Sequence, residues 1–210
     1  MTPAPAYPHE AAPTGAHARF AASLQGMIPA LETDRLRLRA PQIEDFEAYA
    51  EILMSERAIY MDGPLDRHDA WLDFAQCVAN WQLRGHGLWV IEAKGNGVTL
   101  GFTLVCMEFG DQEPELGWFL REEAEGKGYA LEAVRAAKSH ALAHFELPGL
   151  VSYIERKNSR SIRLAERVGG WPDEDAAAIL DEEGVIVYRH WPLSGDEMRG
   201  DTDGGMEAYA

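Results

Sequence analysis

Gly126-Lys127-Gly128 stands between an alternating apolar run and a helical one, and its residue types suit the capture of an anion. Gly126 and Gly128 let the backbone turn tightly and let a ligand approach the main chain. The first amides of a helix that follows such a turn have no intrahelical partner and point outward at the positive end of its dipole. Phosphate and pyrophosphate are the common occupants of such a place. From the turn alone, a bare strand-to-helix bend is the simpler reading. It is not a P-loop, since no second Gly-Lys-Ser/Thr element follows, and the third glycine of the dinucleotide fingerprint is missing. The turn takes its meaning from what positions it.

Upstream, Leu116, Trp118 and Leu120 alternate with Glu115, Gly117 and Phe119, the period of a short β-strand after Pro114. Downstream, Ala130, Val134, Ala137, Ala141 and Phe145 recur at spacings of three and four, an apolar stripe along a helix rich in good helix formers.

The rest of the chain bounds what this unit can serve. Its 210 residues suffice for one domain with a substantial core. The formal charge is −16, of which −4 falls on residues 194–210, leaving −12 on the body. So acidic a surface argues against a nucleic-acid backbone as partner and is compatible with a cationic or amine substrate. No run of about 18 apolar residues suggests a membrane span, and residues 1–30 lack the basic and apolar regions of a secretory signal, so a cytoplasmic location is expected. Cys77 and Cys106 read as buried free thiols in a reducing compartment. Two lone histidines near the start, His9 and His17, make no metal site, and no metal is expected.

In order, residues 1–28 form an extension expected to be partly disordered, with a short helix over 18–24. A half-exposed strand is expected over 31–40, then amphipathic helices over 44–53 and 66–83. Strands over 88–93 and 98–106 are joined through Asn96-Gly97, a strong hairpin signal. The central strand, turn and helix come next. Beyond them lie a strand over 149–155, a helix over 158–168 stopped by Gly169-Gly170, a helical turn over 176–179, and a last strand over 184–191 paired with the segment near Leu180. Residues 194–210, acidic and glycine-rich, are expected to be disordered. The domain then spans 29–193. Its fold class is α/β of the α+β kind: a mixed, mostly antiparallel central sheet with helices on both faces.

Three segments resemble a known family. Glu32-Thr-Asp-Arg-Leu-Arg-Leu-Arg39 with Ile43-Glu-Asp45, Glu115-Leu-Gly-Trp-Phe-Leu with Gly126-Lys-Gly-Tyr-Ala-Leu-Glu-Ala133, and Asn158-Ser-Arg-Ser-Ile-Arg-Leu-Ala-Glu-Arg-Val-Gly169 are similar, in order and spacing, to the GCN5-related N-acetyltransferases. The branch they resemble is that of the ribosomal-protein acetyltransferases RimJ and RimL. The resemblance implies acetyl-CoA as co-substrate. Its pyrophosphate would rest on the stretch Glu125, Gly126, Lys127, Gly128, Tyr129 and Ala130. Its pantetheine arm would pair like an added strand with Phe119, Leu120 and Arg121, and Asn158 and Ser161 would lie near the thioester. The family commonly has Gln or Arg where Glu125 stands. A carboxylate would repel the pyrophosphate, so Glu125 is expected to turn to solvent while Lys127 or Arg121 compensates.

The expected reaction is acetyl transfer to a primary amine, on a protein N-terminus or a small molecule, by direct attack. Glu115 is the candidate base and Ser161 the candidate proton donor to the departing sulfur. A structural strand carboxylate and an ordinary helix hydroxyl are the competing readings of the same two residues. A non-catalytic acyl-CoA-binding module is the alternative function, and a homodimer is kept open.

Overall fold

In the computed structural model, residues 7–192 are described. The expected tail over 194–210 lies outside them. Within the N-terminal extension, helix α1 runs over Gly15–Gln25, and the buried Glu10 accepts two hydrogen bonds from Arg67 at 2.8 and 2.9 Å. The extension is therefore packed against the domain at Glu10.

The chain continues through β1 (Leu31–Glu32), β2 (Leu36–Arg39), α2 (Phe46–Leu53), α3 (Arg67–Arg84), β3 (Leu88–Ala93) and β4 (Thr99–Cys106). Then come β5 (Glu115–Leu120), α4 (Tyr129–His144), β6 (Leu150–Glu155), α5 (Ser159–Arg167), β7 (Trp171–Pro172), α6 (Glu174–Leu180) and β8 (Val185–Trp191). One eight-stranded sheet runs in the order β1-β2-β3-β4-β5-β6-β8-β7. Every neighbouring pair is antiparallel except β5 and β6.

The period-two pattern of β5 sorts its side chains between two cores. Leu116 and Leu120 join Ala133, Val134, Ala137 and Ala141 of α4 on one face, where alanines let the helix lie close to the sheet. Phe119 points to the other face and packs edge-on against Tyr49 of α2, with ring centroids 5.2 Å apart. Helices α2 and α3 cover that face. Both sides of β5 are thus held before any ligand arrives.

Two expectations change. The strand expected over 31–40 is broken at Thr33–Arg35, because Glu132 of α4 accepts from the Thr33 hydroxyl at 2.6 Å and from the Arg35 amide at 2.9 Å. The last strand pairs with β6 and β7, and not with the segment near Leu180. That segment is helical because Asp173 caps it, accepting from the Ala176 amide at 2.9 Å.

Candidate active site

The parallel pair is where the sheet opens. β5 and β6 share a single register pair, Glu115 with Val151, flanked by the backbone bond from Val151 N–H to Pro114 O at 3.0 Å. One step on, the Ser152 hydroxyl donates to Leu116 O, so its lone pair receives the Nε2–H of the buried His190 at 3.0 Å. That bond requires a proton on Nε2, and burial, which drives the His190 pKa down to about 3, keeps the ring neutral. Past this clamp no bond joins residues 117–120 to 153–155 among the described residues, and a cleft of about 410 Å³ lies at the opening.

Its wall is assembled from the β5 end, the glycine turn, the start of α4, α5 and the short helix Glu56–Tyr60. Of the residues expected at the cofactor, Phe119, Leu120, Glu125, Gly126, Gly128, Tyr129, Ala130 and Asn158 line it and Arg121 and Lys127 do not; of the two catalytic candidates, Ser161 lines it and Glu115 does not. Gly126 and Gly128 adopt φ of 70° and 79°, a left-handed conformation that a side chain would strain. The first intrahelical bond of α4 is Glu132 N–H to Gly128 O at 3.2 Å, so the amides of Tyr129, Ala130 and Leu131 precede it. A Cβ on Gly126 would meet nothing within 4 Å, which leaves its surface open to a ligand. Arg57, Arg160, Arg163 and Arg167 add four guanidinium groups to the cleft wall. These residues fit a pyrophosphate.

Glu125 does not turn to solvent alone. It pairs with Arg57 Nη2, and its other oxygen accepts from Arg160 Nη1 at 2.6 Å. Arg121 instead donates to Glu51 at 2.8 Å, and Lys127 to the Glu123 carbonyl at 2.7 Å. The compensating charges therefore come from elements distant in sequence. Arg35 was equally hidden in the alternation over 31–40. Its Nη1 donates to Lys127 O at 3.0 Å, its Nε to Glu132 at 2.7 Å, and its guanidinium lies 4.6 Å from the Tyr129 ring centre. It ties the glycine turn to the first turn of α4.

Asn158 caps α5, accepting from the Ser161 amide at 3.2 Å. Much of the Asn-x-x-Ser signal is thus explained by capping, and the cap fixes where Ser161 enters the cleft. Glu115 sits at the last rung before the opening, on the sheet face of Phe119. Burial first, then the Glu108 and Asp111 carboxylates, push its pKa up to about 8. Burial, with Asp73 next in rank, pushes Glu108 up to about 7. Asp73, bonded by the Tyr49 hydroxyl at 2.7 Å, and Asp111 are raised as well, both by burial. Cys77 and Cys106 come together beneath this group, and the Cys77 thiol donates to Glu108 at 3.3 Å. The arrangement can hold a neutral carboxyl at Glu115 up to mildly alkaline pH and a basic carboxylate above it.

A mixed sheet parting at one parallel rung, with a glycine turn feeding a helix beside the gap, is the arrangement that the sequence resemblance to acyl-CoA-dependent transferases implies. The family model for the acetyltransferase (GNAT) domain matches residues 35–170, and the chain belongs to that family. An acetyltransferase from Agrobacterium tumefaciens is 38% identical and superposes with a TM-score of 0.74 over 79% of this chain and 95% of that one. The uncharacterized protein YkkB of Bacillus subtilis is 30% identical over 145 residues, 66% of this chain and 83% of its own. RimL, a ribosomal alpha-N-protein acetyltransferase solved with coenzyme A, shares the fold at 17% identity and a TM-score of 0.60, covering 77% of this chain and 97% of its own. Among the described residues no helix is long and apolar enough to cross a membrane.

Proposed function

We propose that the protein moves the acetyl group of acetyl-CoA to a primary amine, with Glu115 as the base that readies the amine. The observation that carries this reading is the position of a carboxylate of raised pKa at the last rung before the sheet opens. Bound acetyl-CoA supplies an activated thioester. The chain's residues do the rest. The amides of residues 129–131 and the arginines of the cleft wall hold the pyrophosphate, and the unpaired edge of β5 over 118–120 receives the pantetheine arm as an added strand.

The acceptor arrives on the α2 and α3 side, among Asp73, Glu108, Asp111 and Glu115, where an ammonium group is electrostatically favoured. Glu115 takes one ammonium proton, leaving the nitrogen lone pair free to attack. As the C–N bond forms and the C–S bond breaks, Ser161 supplies a proton to the sulfur, and the second proton released by the acylated nitrogen restores the Ser161 hydroxyl, so that a neutral amide and CoA thiol leave. Tm measurements test the cradle: acetyl-CoA raises Tm by mass action, and S-acetylpantetheine, which lacks the phosphates, raises it far less. Release of free CoA thiol over a panel of small amines and N-terminal peptides tests the chemistry. Tight acetyl-CoA binding with no release above hydrolysis for any acceptor would return the non-catalytic module.

A further inference from the structure

Glu125 is the single carboxylate among the residues lining the cleft, in a chain whose formal charge is −16. The cleft otherwise gathers Arg57, Arg160, Arg163 and Arg167. The last three recur at i, i+3 and i+7, so α5 turns one cationic edge toward the gap. Arg57 comes from the opposite side, on the helix Glu56–Tyr60. Two guanidinium groups from separate elements meet on one carboxylate, each oxygen taking one of them. The side chains of Glu125 and Arg57 are only 35% and 26% exposed, so this is not a loose surface pair.

We propose that Glu125 is a built-in stand-in for phosphate, holding Arg57 and Arg160 until a phosphate-bearing cofactor displaces it. A carboxylate and a phosphate present similar oxygens to a guanidinium fork, so one pair of arginines can serve either in turn. Glu125 stands directly before Gly126 and beside the amide cradle, so a phosphate taking its partners also meets its charge. Both effects oppose binding, and they oppose acetyl-CoA and product CoA alike. The residue therefore sets how firmly the nucleotide end is held and how readily product leaves. It is a positioning residue that keeps Arg57 and Arg160 paired between turnovers. This inference rests on the pyrophosphate lying at the glycine turn, so its test must separate the two ideas.

Calorimetry on the full chain, with CoA, acetyl-CoA and S-acetylpantetheine, compares wild type with Glu125→Gln, Arg160→Ala and Arg57→Ala. Far-UV circular dichroism and the apo Tm establish that each variant is folded, and Glu125→Ala stands in if the glutamine variant is not. The expected result is that Glu125→Gln tightens CoA and acetyl-CoA by about fivefold to tenfold, the effect of removing one or two partly exposed ion pairs, and leaves S-acetylpantetheine unchanged. Each arginine variant weakens CoA and leaves S-acetylpantetheine unchanged. If Glu125→Gln binds CoA as wild type does, or more weakly, while the arginine variants lose affinity, the stand-in role is overturned and the site reading survives. If Kd for CoA moves in none of the three variants, the pyrophosphate lies elsewhere and both fail.

Discussion

Glu115→Gln separates a carboxyl that performs chemistry from one that is merely confined. Glu115 is held at about 8 against an ordinary value of 4.5. Between those two pH values the folded chain binds a proton that the unfolded chain has released, so stability falls as pH rises through the window. At roughly 1.36 kcal/mol per pH unit the ceiling is about 5 kcal/mol. The side chain is partly exposed and shares its repulsion with Glu108, so about 2 kcal/mol is the expected share of Glu115 itself. Glutamine removes that penalty. The variant should match wild type at pH 5 and exceed it by about 4–8 °C in Tm at pH 8.5. Turnover should move the other way. Wild-type kcat should climb through pH 8 as the carboxylate forms, and the variant should lose roughly a hundredfold or more at pH 8.5 with its acetyl-CoA affinity intact. A variant that gains the stability and keeps kcat within a few-fold of wild type would show that Glu115 is a buried acid with no part in proton transfer.

Gly128→Ala forces a side chain to φ of 79°, and should cost about 1–3 kcal/mol of stability and weaken acetyl-CoA as the first amides of α4 shift, checked by thermal melts and calorimetry. Arg35→Ala cuts the tie between the turn and α4 and should raise Kd for acetyl-CoA by about tenfold, with unchanged affinity refuting its anchoring role. Ser161→Ala should lower kcat with little change in KM, and an unchanged kcat would leave the hydroxyl as helix surface. His190, held at about 3, binds no proton in the folded state while the unfolded chain gains one below about 6.5. Stability should therefore fall as pH drops from 6.5 to 3, and His190→Gln should flatten that limb in pH-dependent melts.

Much of the architecture was legible because its signals are local. The change from alternation in Leu116–Leu120 to the alanine stripe of α4 places a strand, a turn and a helix by period alone, and Asn96-Gly97 marks a hairpin. The features that escaped depend on meetings between distant residues. Glu132 reaches back about a hundred positions to bend residues 33–35, and no pattern within 31–40 records it. Arg57 and Arg160 meet at Glu125 from either side of the sheet opening, so the nearer Arg121 and Lys127 looked like its partners. β7 has two residues, too few for any period, so β8 was expected to pair with the segment near Leu180 instead. The glycine turn was visible as a turn, and its occupant could be argued only from the company it keeps.

The single rung between β5 and β6 has a mechanical consequence. Strands β1 to β5 form one continuous antiparallel plate, and β6, β8 and β7 form another; the backbone seam between them is one register pair, reinforced by the Ser152 hydroxyl. A ligand that adds itself along β5 in the opening lies across that seam and lengthens it. The free protein should therefore breathe as two plates, and the loaded one should move as a single sheet. Hydrogen exchange would register this as protection gained in β7 and β8, over residues 171–172 and 185–191, beyond the residues that line the cleft.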